Sequence, residues 1–125
     1  MILIIDTTSD LNLWLGGSRK FWHRKRKNVL ASKTLSEINL FLKEKDIKID
    51  NLTAIGAAAG PGSFTGIRAG ISIANALGYS GNLPISAEKV PFDPEKFFVS
   101  IERHKIKRYN AVTPFYGFSL KSKQI

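Results

Sequence analysis

Two short stretches hold residue types able to do chemistry: Asp6-Thr7-Thr8, which follows an apolar run, and Gly60-Pro61-Gly62-Ser63, which separates an apolar segment from an amphipathic one. A glycine turn that opens a helix leaves backbone N–H groups free, and such a place attracts anions. Asp6, at a strand end, is the carboxylate of the first stretch. Spacing excludes two familiar phosphate motifs. No Lys-[Ser/Thr] pair follows the last glycine, as a P-loop needs, and no Gly-x-Gly-x-x-Gly is present. A purely structural account fits both stretches as well. Asp6 can accept the amides of Thr8 or Ser9, and Gly-Pro-Gly makes a tight turn.

Other chemistry is sparse. Without cysteine there is no disulfide, thiolate nucleophile or cysteine metal site. The two histidines, His23 and His104, each lie among cations, which suits solvated groups better than ligands or bases. Nineteen basic against ten acidic residues give +9, favouring polyanionic or acidic partners. The densest run, residues 19–27, sets Arg19, Lys20, Arg24, Lys25, Arg26 and Lys27 around Phe21 and Trp22, a candidate RNA contact in which phosphates meet cations and bases stack on rings. The competing account is a solvated charged face with its aromatics buried. No apolar run approaches the roughly 18 residues of a membrane helix, and the first one ends at Asp6. One compact cytoplasmic domain without membrane attachment is expected from 125 residues.

The elements that must position these residues read in order. Ile2 to Ile5 is a doubly covered strand, Leu11, Leu13 and Leu15 alternate as a second, and 21–27 forms a third with charges on both faces, as an edge allows. Asn28 is the expected cap of a helix carrying Leu30, Thr34, Leu35, Ile38, Phe41 and Leu42. Residues 46–52 form a loop, and 53–59 a small-residue buried strand. Ser63 then caps a helix with Phe64, Ile67, Ile71, Ala74 and Leu77 on one stripe, stopped by Gly78 and Gly81. Leu83 to Ser86 is a short strand. Residues 97–101 read equally as helix or strand, 103–108 are basic, and 121–125 should fray. Gly66, Gly70 and Ala74 fall at i, i+4 and i+8, a flat strip for another helix to approach, with Ala31, Thr34, Leu35 and Ile38 beside it. The competing place for the strip is the chain's own sheet.

Gly60-Pro61-Gly62-Ser63-Phe64-Thr65-Gly66-Ile67-Arg68 resembles the signature of the TsaB (YeaZ) family, whose members assist in making threonylcarbamoyladenosine in transfer RNA. Ile2 to Thr8 is similar to that family's opening strand and turn, and Val112-Thr113-Pro114-Phe115-Tyr116 to its closing Val-x-Pro-x-Tyr segment. The resemblance implies an α/β fold, the ribonuclease-H-like half of the actin-like ATPase superfamily, with mixed sheet and helices over residues 1–87. Residues 88–125 would then be a reduced segment packed on the same domain, most of the family's second subdomain being absent. It also implies a non-catalytic subunit that pairs with a TsaD-like transferase acting on adenosine 37, with a TsaE-like ATPase as third component. ATP and metal belong on those partners. TsaD carries His-x-x-x-His on its first helix, and the matching helix here has no histidine. Asp6, Thr7 and Thr8 would be a vestigial phosphate turn. Two rival readings remain: a basic RNA-binding module acting without TsaD, and a self-dimerising relic of an ATPase.

Overall fold

The computed structural model describes residues 1–116. Its sheet has the order β3-β2-β1-β4-β5. Three strands form a meander: β1 (Ile2–Asp6), β2 (Leu11–Gly16) and β3 (Phe21–Arg26), all antiparallel. β4 (Ala54–Gly60) lies parallel to β1, and β5 (Ile85–Lys89) parallel to β4. Parallel neighbours need crossover connections, which α1 (Thr34–Glu44) and α2 (Phe64–Gly81) provide. The result is the mixed α/β sheet expected.

Strand alternation divides the core into two layers. Leu3 and Ile5 of β1, with Leu13, Leu15, Ile55 and Ala57, meet Ile38, Phe41, Ile67, Ile71 and Ala74 of the two long helices. Ile2 and Ile4 turn to the other face, where they join Trp14, Phe97, Phe98 and Ile101. Those last three belong to α3 (Pro94–Glu102), so residues 97–101 are helix. Asp93 decides the matter locally, because its carboxylate accepts the Glu95 N–H at 2.9 Å while Pro94 opens the first turn. β4 is buried along its whole length, and its run of Ala and Gly lets helices approach from both sides.

Several boundaries differ from expectation. Asn28 is not a helix cap. It takes a left-handed φ of 58°, tolerated by Asn, and a 3-10 turn at Ala31–Lys33 leads into α1. Gly78 lies inside α2, and Asn82, with φ 51°, closes the helix as Leu83 N–H reaches the Gly78 carbonyl at 2.8 Å. β5 begins two residues late and runs through residue 87, so the expected boundary there falls inside a strand. Phe64 leaves the buried stripe and is 58% exposed. The expected fraying at 121–125 lies outside the described residues.

Candidate functional site

The two chemically suggestive stretches meet at the C-terminal ends of β1 and β4. Asp6 Oδ1 accepts the Thr8 N–H at 2.9 Å and the Thr8 hydroxyl at 2.6 Å, so one carboxylate oxygen is committed to its own turn. Thr8's carbonyl accepts the Ser63 N–H at 2.7 Å, and Thr7's hydroxyl donates to the Gly66 carbonyl at 2.5 Å. Ser63 Oγ caps the helix by accepting the Gly66 N–H at 3.2 Å. The turns form a single unit.

Glycine makes that union fit. A Cβ on Gly66 would overlap the Thr7 carbonyl oxygen, and one on Gly70 would overlap the Thr7 hydroxyl and come within 3.2 Å of its Cβ. At Gly62 it would come within 2.7 Å of Thr8 Cβ. Gly60 needs glycine for another reason, its φ of 113°. The small-residue strip therefore faces inward: Gly70 and Ala74 are buried, Gly66 is half-buried, and on α1 Thr34 and Ile38 are buried too. This corrects the expectation of an outward strip along Gly66, Gly70 and Ala74. The close approach that small residues permit is used by the chain's own β1 turn.

Two hollows flank the unit. One, of about 200 Å³, lies between the starts of α1 and α2 and is lined by Thr7, Ser9, Leu30, Ala31, Thr34 and Thr65 among others. Leu30 in its wall is 67% exposed, and Leu35, which follows Thr34 in α1, is 45% exposed. The other, about 430 Å³, has Asp6, Thr8, Trp14, Pro61 and Phe92 in its wall. No Lys or Arg lines it among the described residues, and Asp6 supplies a negative charge, an unfavourable setting for phosphate.

The basic run 19–27 does not form one surface. Phe21 and Trp22 point to opposite faces of the sheet: Phe21 packs on Phe98 at 5.0 Å between ring centroids, while Trp22 lies on the α1 side with Lys45 Nζ 5.4 Å above its ring. Three cations are answered by acids. Arg24 pairs with Glu44, Lys25 with Asp10 at 3.7 Å, and Arg26 with Glu37 at 3.7 Å. His23 stacks flat on Trp14 at 4.8 Å and meets Asn12 Oδ1 at 2.8 Å. Burial, and secondarily Lys25, push its pKa down.

Asn75 escaped sequence reasoning. Mid-helix on α2, its side chain donates to the Val112 carbonyl at 3.0 Å and accepts the Val112 N–H at 3.0 Å. It clamps the closing Val-x-Pro-x-Tyr segment as a strand partner would. A β-bulge between Ala58 and Gly60 frees the Ala59 carbonyl, which takes the Phe115 N–H at 2.6 Å, and Tyr116 stacks on Phe64 at 4.7 Å. A polar amide in an apolar helix face was the available signal.

Two curated proteins are similar to this chain in sequence. The TsaB protein of Bacillus subtilis is 36% identical over 55 residues, covering 44% of this chain and 24% of its own length. That of Haemophilus influenzae is 26% identical over 87 residues, covering 67% of this chain and 37% of its own. Over these stretches the chain is similar to TsaB proteins. YeaZ from Pseudomonas aeruginosa superposes with a TM-score of 0.65 at 23% identity, covering 70% of this chain and 43% of that one, which shows the shared fold. The family model described as TsaD, tRNA N6-adenosine threonylcarbamoyltransferase, matches residues 29–88. The chain thus spans about a quarter to two fifths of the length of these curated proteins. Among the described residues, no helix is long and apolar enough to cross a membrane, and no group of three His, Asp or Glu is placed to hold a metal.

Proposed function

We propose that the chain works in the cytoplasm in threonylcarbamoyladenosine biosynthesis, as a non-catalytic partner of a TsaD-like transferase. The relatives are named for tRNA threonylcarbamoyladenosine biosynthesis. The observation that carries the reading is the surface around the smaller hollow, which Leu30, Ala31, Thr34 and Thr65 line, with the exposed Leu35 and Phe64 next in the chain to Thr34 and Thr65. Large apolar side chains around a concavity favour protein docking. Docking there uses the outer ends of α1 and α2, not the buried glycine strip. Asp6 supports the non-catalytic part, since its carboxylate is engaged by its own turn. On this reading Asp6, Thr7 and Thr8 are a phosphate turn converted to structural use. The chain needs no cofactor of its own, and ATP and metal sit on the TsaD-like subunit and on a TsaE-like ATPase where one takes part. A second copy of the chain occupies the same surface when no partner is present.

Co-purification with the TsaD-like protein of the same genome, followed by a threonylcarbamoyladenosine assay with and without this chain, tests the reading. Leu35→Asp should leave the fold within about 0.5 kcal/mol of the parent, as surface changes do, and weaken association about 30-fold if Leu35 is an anchor. Equal product without the chain, together with no co-purification, would refute it.

A further inference from the structure

Six cations from two distant parts of the sequence gather at the end of the sheet opposite the glycine turn. Arg19 and Lys20 lie in the β2–β3 hairpin, and Arg103, Lys105, Lys107 and Arg108 follow α3; all six are exposed. Glu102 joins the groups. Its carboxylate accepts the Ser18 N–H at 3.1 Å, and its carbonyl accepts from Lys107 Nζ at 3.4 Å. Hydrogen bonds from Ser18, aided by Arg19, hold the Glu102 carboxyl below its usual pKa, so it stays ionised and the hairpin stays docked. Among the described residues none of the six forms an ion pair, unlike Arg24, Lys25 and Arg26 on β3.

The loop at 103–108 also crosses from one face of the sheet to the other. It leaves the end of α3 and arrives at the end of α2, where Asn82 Oδ1 accepts the Tyr109 N–H at 3.2 Å. Tyr109 meets Tyr79 edge-on at 5.6 Å, and Tyr79 is 75% exposed. An open phenol ring stands beside unpaired cations.

We propose that this end of the molecule binds RNA, the six cations contacting backbone phosphates and Tyr79 stacking on an unpaired base. A single exposed aromatic flanked by unpaired Arg and Lys suits a polyanion that also offers π-faces. The inference rests on the tRNA-modification reading only for its ligand, a tRNA. The surface lies away from the α1–α2 hollow, which leaves a protein partner room to bind at the same time.

The test is anisotropy of the purified chain with a labelled unmodified tRNA transcript across a salt series. The parent should bind with strong salt dependence. Arg19→Glu with Lys20→Glu, and separately Lys107→Glu with Arg108→Glu, should each flatten the plot of log K against log salt by about 1 for every phosphate that is no longer neutralised, and Tyr79→Ala should weaken binding without changing the slope. Lys25→Ala, on an ion-paired cation, should change affinity less than about twofold. Unchanged slopes in both double variants, or binding to phosphatidylserine vesicles with none to tRNA, would overturn the proposal. If the variants lose RNA while the TsaD-like protein makes product without this chain, the partner reading fails and this one stands; if product needs the chain and both variants keep parental tRNA affinity, the reverse holds.

Discussion

The two faces of the sheet are built to different tolerances. One is covered by α1 and α2, whose aliphatic side chains and glycines bring backbone against backbone at the Asp6–Thr8 turn. The other carries only the nine residues of α3, and it is filled by rings: Trp14 against Phe92 at 5.5 Å, Phe92 against Phe97 at 5.0 Å, and Phe21 against Phe98 at 5.0 Å. Closely apposed backbone cannot shift to absorb an added atom, whereas edge-to-face rings can slide. The stretch 60–68 lies on the unforgiving face. Its glycines fit the chain to itself.

The strongest way to break this contrast is Gly70→Leu. The new Cβ alone would overlap Thr7, whose hydroxyl is held by the Gly66 carbonyl and cannot swing away without losing that bond. Overpacking costs about 1–3 kcal/mol where the surroundings can adjust and more where they cannot, so a loss above about 3 kcal/mol is expected in urea denaturation. A variant as stable as the parent would place the strip away from the β1 turn.

A matched pair sharpens the contrast. Ile38 on α1 and Ile101 on α3 are both buried, so truncating each to Ala removes the same atoms. Such truncations cost about 2–5 kcal/mol depending on how far the site collapses. Ile38→Ala should fall near the upper end and Ile101→Ala near the lower. Equal losses would mean that the thin face is packed as rigidly as the other.

The sequence showed the sheet and its helices because period-two and helical patterns are local consequences of burial, and β1 and α2 display them cleanly. The Asp6 turn was legible as well, since an Asp two residues before a Thr bonds it readily. What could not be read was direction. A strip at 66, 70 and 74 looks the same whether it meets a partner or Thr7, and only the crossover that brings α2 onto β1 decides. The run 19–27 misled for the opposite reason: contiguous in sequence, it alternates between faces once it becomes a strand, and acids from α1 and the β1–β2 turn neutralise half of its cations. Asn75 was hidden because its partner is a backbone segment 37 residues away.

The smallest expected effect is a pH dependence confined to the aromatic face. Burial lowers the His23 pKa while the ring lies flat on Trp14, so the folded chain resists a proton that the unfolded chain accepts near the ordinary value of 6.5. More protons are then bound by the unfolded state, and stability falls as pH drops through 6.5 until the folded-state pKa is passed. Glu102 does not interfere, because its carboxyl, with a pKa lowered from 4.5, gives up its contribution only at lower pH. His23→Phe keeps a flat ring on Trp14 and removes the titration. Melting temperature measured from pH 7.5 down to about 5.5 should therefore decline in the parent and decline less in the variant, with the difference opening below about 6.5. Parallel curves would mean that the imidazole is solvated, and that the ring-filled face is open at its β3 edge.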